Sequence, residues 1–162
     1  MILGMTTFTF VHVLLSLVGI ALGFVVLAGL LKSERLDSWT ALFLATTVLT
    51  SVTGFGFPFT QLLPSHIVGI ISLIVLAIAI LARYPLHLEG AWRWIYAITA
   101  VIALYFNVFV GIVQAFQKIP TLKVLAPTQT EPPFAIAQGV VLLLFVVLGF
   151  LAARKFRPVA RI

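Results

Sequence analysis

The chain has 162 residues, 62% of them hydrophobic and 9% charged, with a mean hydropathy of +1.24. Soluble domains carry roughly 45–50% apolar and about 25% charged residues, so a soluble globular fold is excluded, as is a disordered chain, which needs low hydrophobicity and high charge. Ten Lys and Arg against four Asp and Glu give a net charge of +6, and there is no cysteine; disulfides, thiolate chemistry and Cys-based metal sites are therefore excluded, and the absence of a basic face or recognition motif argues against nucleic acid as a partner.

Four stretches hold no Asp, Glu, Lys or Arg: 1–31, 38–82, 94–117 and 132–153. Crossing a hydrocarbon core of ~30 Å takes about 20 residues, so the first, third and fourth each fit one span. The second, 45 residues long, fits two. Met1-Ile2-Leu3-Gly4-Met5 lacks the positive region of a signal peptide, so the first run is expected to stay as a span. Gly54, Gly56, Pro58 and Pro64 break the long stretch, and Pro64 suits the first turn of a new helix. The expected architecture is one all-α domain, 1–162, a bundle of five transmembrane helices near 6–31, 39–57, 64–83, 93–117 and 133–153.

Five crossings put Lys32, Arg35, Arg83, Arg93, Arg154, Lys155, Arg157 and Arg161 on one side and only Lys118 and Lys123 on the other. The positive-inside rule then predicts the N-terminus outside and the C-terminus cytoplasmic. Trp39, Tyr84, Trp92 and Trp94 fall at the cytoplasmic ends of spans, as an interfacial aromatic belt requires. The 118–132 connection, with Ile119, Leu122, Val124 and Leu125, reads either as an interfacial connector or as a lid lying on the bilayer.

On the first span His12, Ser16, Gly19 and Gly23 share a face, and Gly19-Ile20-Ala21-Leu22-Gly23 matches the GxxxG pattern of close helix packing. The second carries Thr46, Thr50 and Thr53 with Thr47, Ser51 and Gly54 beside them. His66 opens the third, with Gly69 and Ser72 on its face. On the fourth, Asn107, Gly111, Gln114 and Lys118 form a stripe, and Gln138 starts the fifth. Polarity thus gathers in the outer halves, whereas runs such as Leu76–Ala82 are aliphatic. Two readings stand: hydrogen bonding between helices, or a periplasm-facing pocket lined by His12, Ser16, Asn107, Gln114, His66 and Gln138. Ionisable residues inside spans are functional candidates, so His12 and His66 are also candidate axial ligands of a b-type haem. His87 sits in a loop and is expected to be solvated.

All four carboxylates are expected in loops, leaving no intramembrane acid to relay protons. No HExxH, GxSxG or phosphate-binding loop is present. Enzymatic activity is therefore not expected.

The segments TSVTGFGFPF (Thr50–Phe59), LPSHIVGIISL (Leu63–Leu73), NVFVGIVQAF (Asn107–Phe116) and LAPTQTEPPF (Leu125–Phe134) resemble a group of small multi-span bacterial inner-membrane proteins with no established activity. The resemblance covers nearly the whole chain and implies location and topology. A fainter likeness, in His-plus-Gly helices, links the chain to four-helix haem-b membrane proteins. The expected function is a non-enzymatic inner-membrane protein that binds a small molecule or lipid, or serves as accessory subunit of a membrane complex or as a homo-oligomer. The alternatives are a single-haem electron carrier and a passive channel or small-solute transporter.

Overall fold

The computed structural model describes residues 6–57 and 64–158; the first five residues, the 58–63 turn and Arg161 lie outside that set. In chain order the helices are α1 (Thr7–Lys32), α2 (Asp37–Gly54), α3 (Pro64–Arg83), α4 (Trp92–Lys118), α5 (Pro120–Leu125) and α6 (Pro132–Lys155). The Thr6 hydroxyl caps α1 by accepting the Thr9 N–H at 3.1 Å, an N-cap bond that satisfies one orphan donor. At its far end Ser33 adopts the left-handed conformation (φ 63) while the Glu34 N–H reaches the Gly29 carbonyl at 2.8 Å. Leu36, also left-handed, turns its side chain onto Gly29, where a Cβ would stand 2.5 Å from Leu36 Cδ1. Only glycine leaves room for that link.

α1 and α2 are antiparallel along their length: His12 meets Thr53, Gly19 meets Thr46 and Thr47, Gly23 meets Phe43, and Gly29 meets Leu36. The two glycines of the GxxxG pattern are buried, and α4 reaches the same face with Asn107 at Gly19 and Leu104 at Gly23. α3 runs antiparallel to α2, through Ser72 on Ser51 and Arg83 on Asp37. α6 runs antiparallel to α4, with Gln138 at Phe109, Phe145 at Tyr105 and Phe156 at Tyr96. α4 is thus the centre, and its buried Ala97, Ala100 and Ala103, with Ala79 and Ala82 of α3, let backbones approach closely. α6 is the outlier: only 6% of its most apolar window is buried.

This up-and-down order sorts the charges. One end, the basic end, holds the 33–36 and 84–91 links and the end of α6, where the Arg157 N–H donates to Ser33 Oγ at 2.8 Å. Trp39, Tyr84, Trp92 and Trp94 are all exposed there, as the belt requires. The opposite end holds the starts of α1, α3 and α6, with α5. Among the described residues four helices are long and apolar enough to cross a membrane: α1, the His66–Arg83 part of α3, α4 and α6. α2 falls short by composition, since its 18 residues include Asp37, five threonines and two serines.

Three expectations need correcting. α2 ends at Gly54 rather than 57, because the Phe55 and Gly56 N–H groups close turns onto Val52 and Thr53. Asp37 is not a loop residue but the first residue of α2. The 118–132 connection contains α5, which starts at Pro120, where proline's missing N–H costs no helical bond.

Beyond α5 a turn is tied to α4 by Gln129, whose Nε2 donates to the Val113 carbonyl at 2.8 Å. Within it the Glu131 carboxylate accepts from the Thr128 N–H (3.2 Å), the Thr128 hydroxyl (2.9 Å) and the Thr130 N–H (3.1 Å). Desolvation pushes the Glu131 pKa up, but these hydrogen bonds outweigh it and hold the group below its ordinary 4.5. A depressed carboxylate pKa stabilises the fold above its unfolded value and loses that contribution as pH falls through the folded value. Protection of the Thr128 and Thr130 amides, corrected for the intrinsic pH dependence of exchange, is therefore expected to hold above pH 4.5 and to fall only below it. Glu131→Gln should remove that pH step.

Candidate functional site

Polar side chains gather in two zones, and only one was legible from spacing. The first is a seam between α1, α2 and α4. His12 Nδ1 and Thr53 Oγ1 lie 2.8 Å apart, and the Thr53 hydroxyl also donates to Leu49 O at 2.7 Å. The pair's direction follows the imidazole tautomer: His12 donates when the Thr53 proton is on the Leu49 carbonyl, and accepts when that proton turns to Nδ1. Two turns along, Asn107 Nδ2 donates to Thr47 Oγ1 at 3.2 Å beside Gly19. Between them the antiparallel register sets Thr50 opposite the turn of α1 that carries Ser16. The Ser16 hydroxyl bonds back to the His12 carbonyl at 2.9 Å. Thr50 Oγ1 is buried with no hydrogen-bond partner among the described residues.

The remaining expected site residues disperse. Gln138 Nε2 donates to the Phe109 carbonyl at 3.2 Å between α6 and α4, with Oε1 buried and unbonded among the described residues. Gln114 is exposed, although Gly111, one turn before it in the stripe, faces Ile20 of α1. His66 is buried, its ring 5.9 Å from Phe55, while His12 stacks edge-on to Phe57 at 5.0 Å. Each imidazole leans on a different phenylalanine of the turn ending α2, and α2 stands between their helices. His87 is exposed, as expected.

The second zone lies at the basic end, where the sequence reads as aliphatic. Arg83 is the last residue of α3, and its side chain is 1% exposed. Nη2 donates to Asp37 Oδ1 at 2.6 Å and to the Arg35 carbonyl at 2.9 Å, and the guanidinium lies 5.1 Å from the Tyr96 ring centroid. Arg35 Nε reaches the same Asp37 oxygen at 3.3 Å, and the Thr40 hydroxyl donates to the Arg35 carbonyl at the same distance. Three helices and a link therefore converge on one buried cation. Nearby, Arg93 Nη1 donates to the Phe156 carbonyl, joining α4 to the end of α6. Polarity is accordingly found at both ends, not at one.

Cavities among the described residues lie outside both zones. At the opposite end a cavity of about 270 Å³ is lined by Phe116, Gln117, Lys123, Pro127, Thr128 and Gln129. Lys123 brings a cation to it, while the Thr128 hydroxyl is bonded to Glu131, Gln129 Nε2 to the Val113 carbonyl, and Gln117 Nε2 to Gln129 Oε1 at 3.4 Å, leaving Gln117 a second N–H. Another, of about 340 Å³, is an apolar groove between α4 and α6. Among the described residues no cluster of three or more His, Asp or Glu could hold a metal ion. No family model, no curated protein and no solved structure matches the chain. Its reading therefore rests on these contacts alone.

Proposed function

We propose that the chain is a non-enzymatic protein of the bacterial inner membrane with five crossings, its N-terminus outside and its C-terminus cytoplasmic. Its role would be to bind a small hydrogen-bonding molecule or lipid on the periplasmic face. Four helices are apolar enough to cross alone; α2 would cross as their partner, because its polar groups other than the Thr50 hydroxyl are largely bonded to other helices or to its own carbonyls. Asn107 donates to Thr47, Ser51 to Ser72, and Thr46 and Thr53 bond back to Leu42 and Leu49. With those groups satisfied, the cost of taking α2 into lipid falls. The observation that carries the binding role is the cavity at the α4–α5 corner. Lys123 and Gln117 supply charge and donors there for an anionic or hydrogen-bonding ligand.

A second reading keeps the site in the seam. Thr50, whose hydroxyl is buried and unbonded among the described residues, and the half-buried His12 beside Thr53 favour it. Native mass spectrometry of gently solubilised protein separates the two. Wild type is expected to carry a retained mass that Lys123→Ala with Gln117→Ala removes at unchanged thermal stability. Loss only in His12→Ala with Asn107→Leu would move the site into the seam. Retention in both double variants, or no bound mass in wild type, would count against a binding role.

A further inference from the structure

We infer that the groove between α4 and α6 is a binding site for an anionic phospholipid, with its acyl chain in the groove and its phosphate at Arg154. The groove walls include Ile98, Ile102 and Tyr105 of α4 and Phe145, Gly149 and Phe150 of α6. Gly149 opens this space: a Cβ there would meet only Val101 Cγ1, at 3.7 Å. The volume of about 340 Å³ suits a stretch of hydrocarbon chain, and nearly all its surface is apolar.

Charge selects the occupant. The Arg154 guanidinium stacks 5.3 Å from the Phe150 ring centroid, so the wall of the groove itself holds a cation at its basic-end mouth. Trp94, one turn before Ile98 on the same face of α4, is exposed beside that mouth, where an indole belongs at headgroup depth. Seven Lys and Arg stand at this end among the described residues, against Glu34, Asp37 and Glu89. Asp37 is engaged with Arg83 and Arg35. The local field therefore favours a phosphate without a compensating cation over a zwitterionic headgroup.

The test offers solubilised full-length protein equal amounts of phosphatidylglycerol and phosphatidylcholine and counts the retained lipid by native mass spectrometry. Wild type is expected to prefer phosphatidylglycerol about fivefold, the equivalent of ~1 kcal/mol for one basic residue beside an anionic lipid. Arg154→Gln should bring the ratio near one without lowering total lipid bound, and Gly149→Leu should lower retention of both. Arg157→Gln, an exposed change away from the groove, should keep the wild-type ratio. Equal retention by wild type, or a preference that survives Arg154→Gln, would overturn the assignment. Because none of these three variants touches the α4–α5 cavity or the seam, this outcome is independent of the periplasmic binding role.

Discussion

Asp37→Ala is expected to cost about 3 kcal/mol or more of stability, while Arg83→Leu costs markedly less. The asymmetry follows from exposure. The Arg83 side chain is 1% exposed and the Asp37 side chain 39%. Removing the carboxylate leaves a guanidinium buried between α2, α3 and α4 with the Arg35 carbonyl still accepting from it. Removing the arginine leaves a carboxylate that water and Arg35 can still reach. A buried pair is weak evidence of net stabilisation, but orphaning its buried member is severe. The double variant Asp37→Ala with Arg83→Leu should therefore be more stable than Asp37→Ala alone. Unfolding of the three variants in detergent, followed by the α-helical signal, checks the order. Equal losses for both single variants would mean that the guanidinium is hydrated despite its burial.

Gly23→Ala is expected to destabilise by roughly 1–3 kcal/mol, the usual cost of overpacking. A Cβ at Gly23 would stand 2.4 Å from Leu104 Cδ1 and 2.9 Å from Phe43 Cε2, and both neighbours are themselves buried. The clash outweighs the ~1 kcal/mol that alanine gains over glycine in a helix. Gly139→Ala makes the matching control, because nothing lies within 4 Å of a Cβ there. It should be neutral or stabilising by up to about 1 kcal/mol. Thermal unfolding of both variants separates close approach from helix propensity. A loss at Gly139 equal to that at Gly23 would argue for propensity alone.

Spacing in the sequence was enough to find the α1 face of His12, Ser16, Gly19 and Gly23, because a helix that packs must present small residues every third or fourth position. The buried Asn107 and the exposure of Trp39, Tyr84, Trp92 and Trp94 at one end of the bundle were legible for similarly local reasons. Gln114 was misplaced by the same rule: it shares the Asn107 stripe by spacing, yet only a crossing angle decides how far a stripe stays covered. Arg83 was read as a topology charge because an arginine ending an apolar run normally reaches water. Its burial depends on Asp37, 46 residues earlier, starting the neighbouring helix. α5 was hidden because six residues carry too little periodicity to separate a helix from a connector. The α4–α5 cavity follows from that turn, so it too was out of reach.

Whether α2 crosses the bilayer decides the placement of every site described above. The chain has no cysteine, so single cysteines can be read with a membrane-impermeant maleimide in intact cells. Glu34→Cys and Glu89→Cys, in the links flanking α2 and α3, and Lys123→Cys on α5 suffice. Labelling of Lys123→Cys from outside, with Glu34→Cys and Glu89→Cys both reacting only after permeabilisation, is expected. Glu34→Cys and Glu89→Cys reacting from opposite sides would show that α2 and α3 do not both cross, and the five-crossing arrangement would fall.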